Sequence, residues 1–365
     1  MSILRLRLII LAVLIIFCGC EQGKNKSVTG ALFNRTPGVL KSYTVVKDSM
    51  TVENVFSSMN GRTTYLLCGN YQGATAFAVV KFPKPSQSIL DSLSYAVMSL
   101  EVYKPWKTDN LELELYKTNN SWSDSTKIQS ADFLNSLGSP ITSFSDTSSS
   151  LSVVQFTFNK EDFSGWVSSG SFLIKSAENI NVMVSLYSVN TTNLPSIKLI
   201  THNGAATDTT TIKSIEGNYY YSPDYKGTGT VISDGGDHGF VLKLGIPKLD
   251  VNPININSAI LKLNFPESYI SSDNMTVMVY RLESKFSEID SVTIDSSSSV
   301  QLNLTPSIRE YNVDILNFVH SWMNLGKTNY GILLRSYYRN ASPNFVIVEP
   351  SDSLVIKYTT MPEVN

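Results

Sequence analysis

Residues 111–124 read LELELYKTNNSWSD, and residues 275–288 read MTVMVYRLESKFSE. In both stretches apolar residues recur at every second position, and a tyrosine followed by a basic residue stands at the same place. A period of two is typical of a β-strand with one face on a core and the other face in water. The pair therefore predicts a strand and a following polar loop that occur twice in the chain.

Six further pairs of segments match in the same order along the chain. They are residues 63–69 with 229–235, 77–82 with 240–244, 96–102 with 259–265, 154–158 with 300–304, 172–176 with 332–336, and 196–200 with 353–356. Matches that keep their order at a nearly fixed offset indicate an internal duplication.

The duplication predicts an all-β chain of two tandem, jelly-roll-like antiparallel β-sandwich domains, at residues 43–202 and 203–361. Short alternating strands separated by Gly, Pro, Asn and Ser turns favour this architecture, and 365 residues suit two domains. The second domain carries one short amphipathic helix at residues 312–324, ended by Gly326. The first domain has only a stub there, with Phe163 and Trp166.

The N-terminal residues 1–20 are typical of a lipoprotein signal peptide. Two arginines precede an apolar run at residues 8–17, which is too short for a membrane-spanning helix. The sequence FCGC at residues 17–20 then predicts cleavage before Cys20 and lipidation of its thiol. Residues 21–42 read as a flexible tether. We therefore expect an exported protein, anchored by lipid in the cell envelope at the outer membrane or cell surface.

Composition narrows the classes of partner. The net charge is only −2, which gives no basic footprint for nucleic acid. Charged residues make up 16% of the chain, against about 25% in typical proteins. After the predicted cleavage Cys68 would be the last of the three cysteines, so neither a disulfide framework nor a thiolate zinc site is expected.

Several segments together resemble a known family. They are the Gly-ended strand at residues 65–69, the VVKF strand at 79–82, the strand opening with Ala96, the LYKTNNSWSD segment at 115–124 and the helix–Trp–NYGILL unit at 313–334. This arrangement resembles the DNRLRE-type jelly-roll domain of secreted bacterial and archaeal proteins, a group that overlaps with alginate-binding carbohydrate modules. The resemblance covers about residues 43–201 and again 205–360, and it implies a noncatalytic module.

Aromatic residues are the best candidates for ligand contact, because sugar rings stack on aromatic faces. Trp106 lies in KPWK, which reads as an exposed turn flanked by Lys104 and Lys107. Further candidates are Tyr219, Tyr220, Tyr221, Tyr225, Tyr337 and Tyr338. The alternative is that these rings cap sandwich edges or form a contact between domains. Trp122, Trp166 and Trp322 fit core positions, and Lys81 fits either an anionic groove or a solvated strand face.

One short loop could hold a metal ion. Residues 234–239 read DGGDHG, where Asp234 and Asp237 could bind calcium through their carboxylates. A Gly-rich turn between two strands explains the same residues. We expect no other cofactor.

The sequence contains no recognisable catalytic motif. It favours a noncatalytic binding protein whose partner is a polysaccharide. A structural or adhesive protein that contacts surface proteins is the alternative, and an unrecognised polysaccharide lyase or hydrolase is the third possibility.

Overall fold

The computed structural model describes residues 39–46, 50–57, 64–107, 109–125, 128, 130–148, 150–177, 180–203, 206–225, 227, 229–246, 254–271, 274–286, 292–337 and 342–360. The predicted signal peptide, Cys20 and most of the predicted tether lie outside these residues. Residues 39–42, which were assigned to the tether, belong to the first strand.

The described chain is mostly β, with large antiparallel sheets and few short helices, which confirms the all-β prediction. The first half has β1 (Val39–Val46), β2 (Met50–Ser57), β3 (Tyr65–Tyr71), β4 (Ala74–Pro83), β5 (Leu93–Lys107), β6 (Leu111–Thr118), β7 (Thr142–Asp146), β8 (Val153–Phe158), β9 (Ser169–Ser176), β10 (Val182–Tyr187) and β11 (Ser196–Asn203). The second half has β12 (Ala206–Lys213), β13 (Glu216–Pro223), β14 (Thr230–Ser233), β15 (Asp237–Leu244), β16 (Ile254–Tyr269), β17 (Met275–Leu282), β18 (Ile294–Leu304), β19 (Glu310–Asp314), β20 (Ile332–Ser336) and β21 (Phe345–Thr360).

Short helices interrupt the strands at a few places. They are α1 (Gln87–Ser92), α2 (Ser130–Leu134), a 3-10 turn (Lys160–Phe163) and α3 (Leu316–Met323). The predicted helix at residues 312–324 is therefore shorter than expected, because its first residues extend β19 as a strand paired with β16. Val313 is buried in this strand. In the described part of the chain, every helix falls short of the length and apolarity needed to cross a bilayer.

The first sandwich has one sheet ordered β12-β11-β5-β8 and one ordered β13-β4-β9-β6-β7, with β10 and β3 joining the two. The second sandwich repeats this arrangement as β1-β21-β16-β19 and β18-β17-β20-β15-β2. Side chains that alternate inward along these strands fill one large apolar core in each sandwich.

Strand pairing tests the segment matches one by one. Residues 196–200 and 353–356 do correspond, since they occupy β11 and β21 beside β5 and β16. The match of residues 154–158 with 300–304 is wrong. Strand β8 pairs with β5, whereas β18 pairs with β17 and corresponds to β7. The two segments read VQFTF and VQLNL, so both alternate apolar and polar residues after a shared Val-Gln. Their sequences look alike although the two strands lie in opposite sheets.

The first two strands of each repeat pair with the sheets of the other repeat. Strand β1 runs along β21 for eight residue pairs, as β12 runs along β11. Strand β2 runs along β15 for eight pairs, as β13 runs along β4. The two repeats therefore exchange their first two strands. Residues 43–46 and 50–57, assigned from sequence to the first domain, complete the second sandwich, and strands β12 and β13, assigned to the second domain, complete the first.

The two cores also meet in a shared strand. Phe345 and Ile347 of β21 belong to the core of the first sandwich. Val346 and Val348, which point the other way, belong to the core of the second. One strand thus contributes alternate side chains to both sandwiches.

Candidate functional site

A polar cleft opens at one end of the first sandwich, where the ends of three strands present neighbouring residues. Strand β9 lies between β4 and β6, and Ser171 is opposite Lys81 on one side and Thr118 on the other. Because Val80 and Phe82 point into the core, the side chain of Lys81 lies on the outer face. We call the opening above this row the first cleft.

The first cleft has a volume of about 620 Å³, which lies within the range of small-molecule sites. Its walls come from the loop after β6, the loop after the 3-10 turn and the start of β9. The lining residues are Lys81, Lys117, Thr118, Asn119, Asn120, Ser121, Trp122, Ser164, Gly165, Trp166, Val167, Ser168, Ser169, Gly170 and Ser171.

Two tryptophans line the cleft while most of each ring is buried. The Trp122 Nε1–H donates to Ser171 Oγ at 3.1 Å, which fixes the indole against β9. Trp166 packs edge-on against Phe163 with the ring centroids 5.0 Å apart. A β-carbon on Gly170 would lie 1.7 Å from the Trp166 ring, so only glycine lets the indole lie on the strand. The prediction that both tryptophans are buried is confirmed.

Two lysines supply positive charge at the cleft. The Lys81 ammonium lies 4.7 Å from the Trp122 ring centroid and donates to the Glu216 carboxylate and the Trp122 carbonyl. The Lys117 ammonium donates to the backbone carbonyl of Ser164 and to its hydroxyl at 3.3 Å. The ammonium groups are thereby held against the cleft wall.

The polar groups of the loop are also held in place. Asn120 donates to the carbonyl of Asp132 in α2 and accepts from the Ser136 hydroxyl at 3.3 Å. Asn119 and Ser121 are exposed on either side of it. Of the described residues that line the first cleft, none is Asp, Glu or His. The site therefore offers cations, amides and hydroxyls around aromatic edges.

Comparison with known proteins adds little to this geometry. No family model matches the sequence, and no curated protein matches it. Among solved structures, one similar chain is the N-terminal CBM22-1–CBM22-2 tandem domain of Xyn10C from Paenibacillus barcinonensis, at 8% identity and a TM-score of 0.19, covering 88% of this chain and 98% of that one. A likeness of this strength carries no argument, and the resemblance to the DNRLRE-type domain stays a prediction.

The structure corrects the interpretation of Trp106. This residue lies inside β5 rather than in a turn, and its ring is buried in the first core with 5% of its surface exposed. Lys104 is exposed, with its ammonium 5.4 Å from the Trp106 centroid. The side chain of Lys107 lies outside the described residues.

Tyr219, Tyr220 and Tyr221 lie on β13 and Tyr225 follows it, and three of these four tyrosines reach the second sandwich. The hydroxyls of Tyr219 and Tyr221 donate to the carbonyls of Gly235 and Pro343, at 2.7 and 3.0 Å. The Tyr225 hydroxyl accepts from the Gly229 backbone at 3.3 Å. These contacts support the alternative that the rings join the two domains.

The remaining tyrosine candidates are not brought together with the first cleft. The Tyr220 ring stacks on Phe77, with centroids 5.1 Å apart. Tyr337 is 56% exposed at the end of β20. Tyr338 lies outside the described residues.

Asp234 lies in a buried polar cluster between the sandwiches. Its carboxylate accepts from the Ser336 hydroxyl, from Ser342 at 2.9 Å and from Asn344 at 3.2 Å. Burial raises the pKa of Asp234 to about 6. The side chain of Asp237 lies outside the described residues, and the described part of the chain holds no cluster of three His, Cys, Asp or Glu placed for a metal. Calcium binding stays a prediction.

His238 lies beside Tyr221, close to Asp234. Its Nδ1 lies 2.8 Å from the Ser233 hydroxyl, and burial lowers the pKa of His238 to about 4. A β-carbon on Gly235 or Gly236 would lie within 3 Å of the Tyr221 ring. The two glycines are thus explained by close packing.

Sequence reasoning missed Lys117, Asn119 and Asn120. The sequence pattern that could have identified Lys117 is the match of residues 111–124 with residues 275–288, in which Lys117 and Arg281 stand at the same position of a strand–loop unit. It also missed a second aromatic surface, where Tyr65 and Tyr103 stack at 4.2 Å and Tyr187 lies beside them. Those rings come from three strands far apart in sequence.

Proposed function

We propose that this chain is a noncatalytic glycan-binding protein and that the first cleft binds an acidic polysaccharide. The observation that carries the proposal is the composition of the cleft, which combines two fixed lysines with tryptophan edges, amides and hydroxyls. A uronate carboxylate would pair with the Lys117 ammonium, and sugar hydroxyls would exchange hydrogen bonds with the serine and asparagine side chains.

The electrostatics favour an anionic sugar over a cationic one. Lys81 is paired with Glu216, whereas the Lys117 ammonium contacts the neutral Ser164. One positive charge is thus left without a carboxylate in the described lining. A carboxylate ligand placed there would form a charge-assisted hydrogen bond of about 1.5–3 kcal/mol.

The absence of Asp, Glu and His among the described lining residues supports a noncatalytic role. Glycoside hydrolysis ordinarily uses two carboxyl groups, and lyase chemistry needs a general base beside the sugar. Placement in the bacterial envelope through a lipid on Cys20 belongs to the same proposal and is supported by the sequence of residues 1–20.

Migration of the purified chain in native gels that contain alginate tests the proposal. We expect alginate to retard the protein and Lys117→Gln to weaken the binding about tenfold or more, because one charge-assisted contact is lost. Lys104→Gln is the matched control, since it makes the same charge change on an exposed lysine of β5 outside the cleft.

Equal retardation of wild type and Lys117→Gln, at unchanged melting temperature, would overturn the assignment of the cleft. A loss of retardation in Tyr103→Ala with Lys117→Gln unaffected would move the glycan to the tyrosine surface. Release of unsaturated products from alginate would identify a lyase instead.

A further inference from the structure

The second sandwich has a cleft at the position that corresponds to the first cleft. In the first sandwich, Phe172 of β9 lies between Val80 of β4 and Lys117 of β6. In the second sandwich, Ile332 of β20 lies between Leu242 of β15 and Arg281 of β17. Arg281 therefore occupies the place of Lys117 on an equivalent strand.

This opening, which we call the second cleft, has a volume of about 370 Å³. It is lined by Arg281, Glu283, Gly326, Lys327, Thr328 and Tyr330. As in the first cleft, one wall is the end of a strand and the other is the loop that follows the helical segment. Two openings at the same place in a duplicated fold point to one inherited site.

The charges of the second cleft differ from those of the first. Arg281 is 4% exposed, and its Nη2 donates to Glu283 at 3.0 Å and to Asp295 at 2.7 Å. Its Nε is buried with no hydrogen-bond partner among the described residues. The two carboxylates, Glu283 and Asp295, offset the charges of Arg281 and of the exposed Lys327, so these four groups carry no net charge. In the first cleft Glu216 offsets only one of the two lysines.

The arrangement suits hydroxyl groups better than carboxylates. The Glu283 side chain is 41% exposed, so an oxygen of a fixed acceptor faces the opening beside the guanidinium donor. The Thr328 hydroxyl is exposed on the opposite loop, and Tyr330 supplies a half-buried ring. Adjacent donors and acceptors next to an aromatic ring match neighbouring sugar hydroxyls and a sugar face.

We propose that the second cleft is a separate glycan site that takes a neutral sugar. The proposal rests on the proposed function in treating both clefts as sugar sites. It assigns the two sandwiches different ligands: acidic polysaccharide to the first and neutral polysaccharide to the second. The difference follows from Glu283 and Asp295, which offset Arg281 and Lys327, whereas Lys117 has no carboxylate partner among the described residues of the first cleft.

Native gels containing alginate, mixed-linkage β-glucan, galactomannan or dextran separate the two sites on the full chain. We expect at least one neutral polysaccharide to retard the protein. Glu283→Gln should weaken that retardation about tenfold, because an anionic acceptor is lost, and should leave alginate retardation unchanged. Glu310→Gln is the matched control, an exposed glutamate on β19 of the same sandwich. Lys117→Gln should show the reverse pattern.

Thr328→Val is the second variant, for use if Glu283→Gln lowers the melting temperature. Thr328 is exposed and does not hold Arg281 in place, so this change removes a cleft hydroxyl alone. The second site is overturned if none of the three neutral polysaccharides retards the chain, or if both cleft variants bind the neutral polysaccharide like wild type. Alginate retardation would still stand in those cases. Loss of alginate retardation alone would refute the first cleft only.

Discussion

Asp234 and His238 both lie near Tyr221, and burial shifts their pKa values in opposite directions. The pKa of Asp234 rises from 3.8 to about 6, so between these values the folded chain keeps a proton that the unfolded chain has lost. Its contribution to stability is therefore complete below pH 3.8 and is lost as the pH rises through about 6. The pKa of His238 falls from 6.5 to about 4. Its contribution is complete above pH 6.5 and is lost as the pH falls through about 4.

The effects of Asp234 and His238 on the free energy of unfolding should nearly cancel between about pH 4 and 6 in the wild type. In Asp234→Asn only the histidine dependence remains, so the free energy of unfolding should rise with pH across this window. In His238→Gln it should fall with pH. Urea unfolding at several pH values measures the slopes. The same slope in all three proteins would contradict this account.

At the scale of single residues, the sequence correctly predicted the burial of three of the four tryptophans. Burial of Trp122, Trp166 and Trp322 followed from their places in the repeated sequence pattern, which for Trp322 is the apolar face of the helix. The prediction failed at Trp106, because Pro105 favours a turn. At Pro105, strand β5 pairs with β10 alone among the described strands. One edge of β5 is therefore unpaired there, and the missing N–H of the proline costs little.

The exchange of the first two strands between repeats is the main feature at the scale of elements. Alternation along the chain predicts that these segments are strands, yet it does not choose their partners. Strand β1 pairs with β21 over eight residues, and strand β12 pairs with β11 over eight residues. Their partners belong to the other repeat and lie far away in sequence, so a reader of the sequence would assign each strand to its own repeat.

The exchange predicts that a change in β1 destabilises the second sandwich. Val45 is 1% exposed and belongs to the second core, so Val45→Asp would bury a carboxylate and cost several kcal/mol of unfolding free energy. Thr44→Asp, on the exposed face of the same strand, is the control. Hydrogen exchange read out by mass spectrometry should show faster exchange in β15 to β21 for Val45→Asp alone. Faster exchange confined to β3 to β11 would refute the exchange.

At the scale of the whole molecule, the two sandwiches share apolar contacts. Strand β21 sends Phe345 into the first core and Val346 into the second, and Tyr269 stacks on Phe345 with centroids 4.4 Å apart. Tyr219 and Tyr221 add hydrogen bonds across the junction. Sequence patterns cannot foresee such a junction, because residues buried by a neighbouring sandwich and residues buried by their own core look alike.

The shared strand predicts a single cooperative thermal transition for the two sandwiches. Phe345→Ala removes a ring buried in the first core from a strand of the second, so we expect scanning calorimetry to show that transition split in two. Leu304→Ala, confined to the second core, should lower the single transition without dividing it. Two resolved transitions in the wild type would show that the sandwiches unfold independently.

The pairing of Val39 with Thr360 also determines when the second sandwich can form during synthesis. During synthesis, residues 39–46 are made about three hundred residues before the segment against which they must lie. The nascent chain therefore carries strands with unmet backbone groups until β21 has emerged. Such a protein should reach its native state only after translation of this region is complete, and until then it would need an unfolded, chaperone-held or translocating form.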